Sequence, residues 1–249
     1  NLKGENAALK NKDFRKALSY GISRKDYVAM ARASIPEPTS RLVLPALPGP
    51  TSIFGKDYPF DPYPETGDTA KAKEYLKKAM SALGVSDPSK ISFKLSYAEA
   101  ESVRKIVEVL QAQWKQNLGV NVTLVPVPYA VLSDDMFGGK YEMMYTGWTP
   151  DYDDPVSYLE LFQTDGGYNY SHYSNSDYDK EMKAAETAKN TKERMDHLAA
   201  AEKIVCDALP IISLTAGRGM ALWDEKRIKN FNLYHVGTIY NFIYTDIVS

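Results

Sequence analysis

The residues best suited to chemistry in this sequence are three carboxylates grouped in one short segment, Asp151, Asp153 and Asp154, shortly after Trp148. Asp154 comes just before Pro155, and we expect it to accept hydrogen bonds from free backbone N–H groups at the start of a helix. We expect Asp153 to face solvent. For Asp151 two interpretations stay open at this point: it stabilises the turn, or it pairs with an ammonium group of a ligand.

Aromatic residues surround these carboxylates. Eight of the 18 tyrosines lie between residues 141 and 178. Such a density is typical either of a packed sheet edge or of an adaptable binding wall, because the ring is rigid, amphipathic and loses little entropy. Trp148 stands beside Gly147 at the predicted end of a strand, a position that favours the wall of a pocket over a place in the core.

Other kinds of site receive little support from the sequence. His172, His197 and His235 share no metal-ligand spacing, so we predict no metal site. The glycine pairs lack the lysine of a phosphate loop, and a nucleophile-elbow serine is absent. We therefore predict no catalytic residue and no cofactor. A hydrolase using two of the three aspartates is disfavoured, because carboxylates in one tight turn usually point apart.

The overall composition is that of an ordinary globular protein. The chain has 249 residues, of which 44% are hydrophobic and 25% charged, and its net charge is −2. Without a basic field, nucleic acid is an unexpected partner. The single Cys206 lies in a helical pattern and is interpreted as a small core residue. Because Asn11 already caps a helix, we interpret the chain as a fragment of a longer protein.

The first half of the chain predicts an α/β unit that follows two helices and a loop. Asn11 begins one helix, and Ser23 with Asp26 begins a second in capping-box form. Residues 35–68 carry eight of the 14 prolines, which predicts a long ordered loop. There follow a helix from Asp68 to about Leu83, a strand around 91–95, a helix that Gly119 ends, and a strand that Pro126 and Pro128 end. Strand, helix and strand predict a parallel βαβ unit.

The second half predicts the elements around the aspartates. In order, these are a short helix over 131–137, an apolar strand over 141–146 that should be central in the sheet, a helix near 155–162, a loop over 164–176, helices over 177–188 and 192–208, and a last strand over 210–214. The tail, residues 217–249, has weak β character in Ile239, Tyr240, Phe242 and Tyr244, and GRG at Arg218 predicts a turn. The fold class is α/β, a mixed sheet flanked by helices.

Several segments, in order, resemble the C-terminal half of the extracytoplasmic oligopeptide-binding proteins that feed ABC importers. They are DFRKALSYGISRKDYV, TAKAKEYLKKAM, NLGVNVTL, GWTPDYDDPVSYL, and YSNSDYDKEMKAA with AEKIVCDALPIISL. Each motif is weak by itself, and their order is specific. The resemblance implies one lobe of a two-lobed clamp: residues 1–216 as the distal ligand-binding lobe, with the tail returning toward a missing first lobe.

The resemblance also implies roles for particular residues. Asp151 would pair with the α-amino group of a peptide, and Gly147, Trp148 and Thr149 would offer backbone groups to an extended ligand. Tyr145 and Tyr152 complete the predicted ligand-binding set. Relatives with Arg three residues before the Trp can meet a peptide carboxylate there. This chain has Tyr145, so that role is not carried over.

The implied partners are an oligopeptide, the permease subunits of an ABC importer and the missing N-terminal lobe, and we expect a monomer. The implied location is extracytoplasmic, either periplasmic or as a lipoprotein anchored to the outer face of the membrane. Two alternatives remain open: the same clamp holding a nickel chelate, haem, sugar or opine, and an isolated lobe that is stable but inert.

Overall fold

The computed structural model describes residues 1–30, 36–217, 222–233 and 240–248. The predictions for Arg218, His235 and Ile239 lie outside these ranges. The described helices are α1 (Ala7–Lys10), α2 (Lys12–Tyr20), α3 (Arg24–Met30), α4 (Phe54–Asp57), α5 (Thr69–Leu83), α6 (Glu101–Leu118), α7 (Tyr129–Gly138), α8 (Val156–Leu159), α9 (Ser176–Glu186) and α10 (Thr191–Ala208), with 3-10 turns at Pro88–Lys90 and Glu160–Phe162. None of them combines the length and apolar character needed to cross a bilayer.

The strands form one three-stranded sheet and several two-stranded ladders. They are β1 (Glu37–Pro38), β2 (Ser92–Ala98), β3 (Asn121–Val127), β4 (Met143–Met144), β5 (Thr215–Ala216), β6 (Ile228–Lys229), β7 (Asn232–Leu233), β8 (Tyr240–Asn241) and β9 (Asp246–Ile247). The sheet has the order β3-β2-β4, and both pairings are parallel. Antiparallel pairing occurs, in the described residues, in the ladders β1–β5, β6–β9 and β7–β8 and in one isolated bridge between Pro48 and Ile53.

The βαβ unit β2–α6–β3 follows the local signals. Alternate residues of β2 are buried, including Phe93 and Leu95, so one face of the strand is dry. Gly119 ends α6 with φ +75°, a conformation that strains any residue with a Cβ. Pro126 lies inside β3 instead of ending it, which is tolerated because β3 is an edge strand of this sheet.

The helix starts also follow the predicted capping. Asn11 Oδ1 accepts the Phe14 N–H, and Asp68 accepts the Lys71 N–H. Ser23 Oγ accepts the Asp26 N–H, which is half of a capping box. The other half is replaced, because the Ser23 N–H donates to Gln113 of α6. This bond ties the start of α3 to the βαβ unit.

Two strand predictions were wrong. Residues 141–146 do not form a central strand: only β4 is regular there, and among the described strands it pairs only with β2, at the edge of the sheet. Residues 210–214 form no strand, and pairing begins only at β5. An apolar run identifies a chain segment that avoids water, but the number of neighbouring strands depends on the rest of the sheet.

The hydrophobic interior is divided into two clusters. The first, called the sheet core, packs α1, α2, α5 and α6 on the sheet; among its members are Phe14, Leu18, Phe93, Leu110 and Trp114. The second, called the loop core, packs the proline-rich loop on α8, α9 and α10; among its members are Val43, Phe54, Leu159, Tyr178 and Leu198. Each fully buried side chain of this size contributes about 1.5–3 kcal/mol by leaving water.

The proline-rich loop is ordered, as predicted, through a buried ion pair. Arg41, 5% exposed, donates to both carboxylate oxygens of Glu202, which is 1% exposed, at 3.2 and 2.5 Å. Glu202 also accepts the Val43 N–H, and the Arg41 guanidinium lies over the rings of Phe54 and Phe60. The loop is therefore fixed to α10 by a fully partnered charge.

The described part of the tail forms short ladders with apolar side chains in water. Ile228 pairs with Ile247 in β6–β9. The most exposed large apolar residues in the described part of the tail are Leu222, Phe242, Ile243, Tyr244 and Ile247. Soluble proteins rarely expose several large apolar side chains in one segment. Such a group marks a contact surface.

Candidate functional site

Residues 146–154, called the aspartate turn, leave the sheet where the parallel strands β2 and β4 end side by side. Ser96, near the end of β2, is in register with Met144 of β4, and the Tyr145 N–H donates to the Ser96 carbonyl at 2.8 Å. The chain then departs from the carboxyl edge of the sheet into residues 146–154. Ligand sites of α/β proteins lie at this edge, because loops there are free of the ladder but held by it.

Tyr145 is fixed to the sheet core on one side of the turn. It packs against that cluster, and its hydroxyl lies 2.8 Å from the hydroxyl of Tyr27, which is 2% exposed. Burial, followed by the interaction with Tyr145, raises the pKa of Tyr27. The Tyr145 hydroxyl is thus engaged within the protein, and its ring is half-buried.

The backbone of residues 146–149 is open to solvent. Thr146, Gly147 and Thr149 are exposed, and the N–H and C=O groups of the segment make no hydrogen bond with any described residue. A Cβ placed on Gly147 would meet nothing within 4 Å, so the glycine leaves space there. An extended chain could pair with such a free edge through its own main-chain groups.

Trp148 is fixed to the loop core on the other side. Its ring is half-buried against that cluster, and the indole Nε1–H donates to the Ser157 carbonyl at 2.8 Å. The sequence-predicted wall residue is therefore also a packing residue. Tyr145 and Trp148, three positions apart, anchor the turn to different cores.

Asp151 carries the free charge of the site. The residue is exposed, and its carboxylate makes no hydrogen bond or ion pair with any described residue. Its backbone N–H donates to Ser157 Oγ at 3.0 Å. Asp153 is exposed, as expected. Tyr152 is 41% exposed, and desolvation together with the nearby Glu160 raises its pKa to about 12, so the hydroxyl stays protonated.

Asp154 has the capping role that the sequence predicted, and a further one that it did not. Its Oδ1 accepts the Val156 N–H at 2.9 Å. Its two carboxylate oxygens also accept from Nη1 and Nη2 of Arg194 at 2.8 and 2.9 Å. The hydrogen bond to Asp154 raises the pKa of Arg194. Asp154 is thereby committed to structure, which removes it as the partner in a carboxylate pair.

Ser157 and Arg194 are organising residues that the sequence reasoning missed. Ser157 is fully buried and touches the turn through both its hydroxyl and its carbonyl. A small polar residue within the apolar run VSYL was the only available signal. Arg194 lies 40 positions from Asp154 on another helix, and no local pattern connects them.

Four aromatic rings, two exposed and two half-buried, continue from the turn. Trp148, Tyr168, Tyr170 and Phe137, called the aromatic strip, follow one another with ring centroids 5.8, 6.2 and 5.0 Å apart. Tyr168 is 54% and Phe137 62% exposed. Tyr170 is held from below, because the Tyr141 hydroxyl donates to its carbonyl at 2.6 Å. The strip offers apolar faces beside the open backbone.

His197 and Cys206 belong to other surroundings. His197 lies 2.7 Å from Glu181 between α9 and α10, and within the described ranges no three His, Cys, Asp or Glu side chains could hold a metal ion together. Cys206 is buried, as interpreted from the sequence, and burial raises its thiol pKa to about 12. The chemistry that this turn offers is to hold a cationic group beside an extended chain.

Comparison with known proteins gives this geometry a family. The model of the middle part of the bacterial extracellular solute-binding proteins, family 5, matches residues 1–170. The chain belongs to this family. The match ends beyond the aspartate turn, so the turn and the βαβ unit both lie within the family's own region.

Relatives of this family 5 protein are named for peptides. The oligopeptide-binding protein OppA of Bacillus subtilis is 32% identical over 234 residues, which is 93% of this chain and 42% of that protein. A solved peptide-binding protein of a peptide ABC transporter superposes with a TM-score of 0.78 at 33% identity, over 86% of this chain and 95% of that one. The structure of OppA of Listeria monocytogenes bound to peptide superposes with a TM-score of 0.81 at 30% identity. The match covers 97% of this chain and 46% of that one.

The comparisons confirm the predicted family and fold class. The α/β lobe predicted from the sequence superposes on proteins of the peptide-binding type over nearly its whole length. The chain spans less than half the length of the curated relative in Bacillus subtilis.

Proposed function

We propose that the protein containing this chain is an extracytoplasmic solute-binding protein that captures oligopeptides and delivers them to an ABC importer. The observation that carries the proposal is the exposed, unpartnered carboxylate of Asp151 beside the open backbone of residues 146–149. The names of the relatives support the same ligand class.

Asp151 is proposed to bind the α-amino group of the peptide. A charge-assisted hydrogen bond of this kind contributes about 1.5–3 kcal/mol net. The carboxylate reaches a ligand without first breaking an internal ion pair, in contrast to Asp154, which is held by Arg194.

Main-chain groups and rings are proposed to bind the rest of the ligand. The free N–H and C=O groups around Gly147 and Thr149 would pair with any extended peptide, since such groups are common to all sequences. The aromatic strip would hold apolar or aromatic side chains. Recognition of the main chain plus roomy apolar faces would give a broad peptide specificity.

The matched pair Asp151→Asn and Asp153→Asn tests the binding role. Both residues are exposed carboxylates in one turn, so net charge changes equally. Titration calorimetry of the full-length protein with trialanine should show roughly 10- to 150-fold weaker binding for Asp151→Asn. Asp153→Asn should stay within about twofold of the parent. Equal affinities of the two variants would exclude the assignment.

The ligand class itself is tested by native mass spectrometry of the full-length protein purified without denaturation. A ladder of short-peptide masses would support peptide capture and give the preferred length. One adduct of non-peptide mass, such as a chelate or a sugar, would contradict peptide capture and identify another solute as the ligand.

The exposed apolar side chains of the tail are proposed to contact the first lobe of the same polypeptide. The relative of Bacillus subtilis is more than twice as long as the region that matches this chain, which leaves room for that lobe. Hydrogen exchange should show the amides of β6 and β9 protected in the full-length protein and exchanging faster in the 249-residue chain alone. Equal exchange would argue against the contact.

The remaining partners follow from the same proposal. The loaded protein, a monomer located outside the cytoplasm in the periplasm or anchored as a lipoprotein, would dock on the permease subunits of the importer. Affinity would arise from closure of two lobes around the peptide. The cleft would then exclude water from the pair that Asp151 makes with the ligand.

A further inference from the structure

One buried residue holds the middle of the aspartate turn. Ser157 is 0% exposed and lies directly beneath the turn, at the start of α8. Its Oγ accepts the Asp151 N–H at 3.0 Å, and its carbonyl accepts the Trp148 Nε1–H at 2.8 Å. One residue thus holds both the proposed charge anchor and the aromatic wall.

The bond to Ser157 is the one hydrogen bond that Asp151 makes with the described residues. The Asp151 side chain projects into solvent without a partner, so the position of its carboxylate depends on where its backbone is fixed. The neighbouring anchor, Asp154 with Arg194, fixes the far end of the turn through a different helix. Ser157 therefore determines the geometry at Asp151 itself.

We propose that Ser157 is a positioning residue, which presets the Asp151 carboxylate and the Trp148 ring for a ligand carrying a primary ammonium group. This inference rests on the function proposed above. A preset turn loses less conformational entropy when ligand binds, so affinity is gained without any contact between Ser157 and ligand. Because Ser157 is buried, its effect can reach the ligand only through the turn.

Substitution of the hydroxyl should impair recognition of the amine. In Ser157→Ala the carbonyl still accepts from Trp148, while the Asp151 N–H loses its acceptor. Binding of trialanine to the full-length protein should weaken roughly tenfold, the equivalent of one hydrogen bond. Binding of N-acetyl-trialanine, which has no ammonium group, should change less than twofold by the same reasoning.

Ser19→Ala is the matched control. Ser19 is also 0% exposed, and its Oγ accepts a hydrogen bond from Arg24; it lies in α2 and makes no contact with the aspartate turn among its hydrogen bonds. Removing this hydroxyl should lower thermal stability but leave the ratio of the two peptide affinities unchanged. A simple structural role for Ser157 would give the same result as this control.

A double-mutant cycle tests whether Ser157 acts through Asp151. In an Asp151→Asn background, adding Ser157→Ala should have less than twofold further effect on trialanine, since the charge it positions is gone. Equal loss for the free and acetylated peptides, or additive loss in the cycle, would overturn the inference. If Ser157→Ala does not fold, Ser157→Cys carries the same test, because sulfur is a weak acceptor of similar size.

Failure of this inference is distinguishable from failure of the proposed function. The parent protein is measured with both peptides first. Equal affinity for the two would refute the role of Asp151 before any Ser157 variant is made. Preference for the free amine, combined with an unchanged preference in Ser157→Ala, would refute the positioning role alone.

Discussion

The sheet core and the loop core are held together by different physics. In the sheet core, β2 and β3 pair over seven consecutive positions. Helices cover the sheet, and apolar side chains such as Phe93 of β2 and Trp114 of α6 are buried between them. In the loop core, the chain of the proline-rich segment is largely irregular, and a buried ion pair between Arg41 and Glu202 fixes it. A regular ladder satisfies its own backbone groups, whereas an irregular loop needs side chains for that purpose.

This difference predicts different tolerance to substitution. The sheet core should accept changes that conserve volume, because its stability follows apolar area and packing. The loop core should not accept even isosteric changes of charge, because removing one partner leaves the other buried and unpaired. The aspartate turn joins the two regions, with Tyr145 packed on one and Trp148 on the other.

The largest effect is expected for Glu202→Gln. The side chain keeps its size, but the charge of Arg41 loses its compensation at 5% exposure. The free energy of unfolding, measured by urea denaturation, should fall by about 3–5 kcal/mol. The matched change in the sheet core is Leu110→Met, at 2% exposure, which should cost less than about 1.5 kcal/mol. Similar losses for both would remove the distinction.

A medium effect is expected for Gly119→Ala in the sheet region. Gly119 ends α6 at φ +75°, where a Cβ costs about 1–2 kcal/mol. Gly147→Ala in the aspartate turn is the control, since no atom lies within 4 Å of the added carbon. It should change stability by less than about 0.5 kcal/mol. A larger loss at Gly147 would mean that the turn is as constrained as a helix end.

A smaller effect is expected for Asp154→Asn. The amide oxygen can still cap α8 at the Val156 N–H, so the substitution isolates the ion pair with Arg194. Both side chains are about a quarter to a third exposed, and solvent screening limits the loss of stability to about 0.5–1 kcal/mol. Differential scanning calorimetry with Arg194→Gln as the partner variant should give a similar value. A loss as large as that of Glu202→Gln would mean that the ion pair of Asp154 with Arg194 matters as much for stability as the buried pair of the loop core.

The smallest change concerns Cys206, which should not react while the loop core stays closed. Burial raises the pKa of its thiol from 9.0 to about 12, so the reactive thiolate is suppressed at pH 8.5. Between pH 9 and about 12, the folded state keeps the thiol proton that the unfolded state releases. The contribution of the buried neutral thiol to the free energy of unfolding is therefore fully present below pH 9 and is lost as pH rises toward 12.

Alkylation by iodoacetamide then reports opening of the loop core. If both cores unfold together, the rate at pH 8.5 should equal the alkylation rate of an exposed thiol multiplied by the globally unfolded fraction, because refolding is faster than alkylation. A faster reaction would show that the loop core opens by itself. The two cores would then be separate cooperative unfolding units.

Much of the sheet region could be predicted from the sequence because its signals are local. Asp68 and Gly84 bound α5, and alternation of apolar residues gave β2. The capping role of Asp154 was also predicted, since an aspartate before Pro marks a helix start. The ligand roles of Asp151, Trp148, Gly147, Thr149, Tyr145 and Tyr152 stay predictions.

Predictions failed where an element depends on distant neighbours. Residues 141–146 are apolar enough for a central strand, yet β4 has one neighbour among the described strands. Residues 210–214 are equally apolar, but the backbone carbonyl of Ser213 accepts from the Arg24 side chain instead of a strand. Hydrophobicity alone carries no information about which partner supplies the hydrogen bond.

The sequence by itself determined the βαβ unit, the caps at Asn11, Asp68 and Asp154, the family and the concentration of charge at the aspartate turn. Only the tertiary structure decided which of these charges is free. Asp154 is paired because α10 brings Arg194 across 40 positions, and Arg41 meets Glu202 across 161. Ser157 lies beneath Asp151 because α8 packs into the loop core. Caps and periodicity act within one turn of chain, whereas these pairings exist only after the two cores have packed.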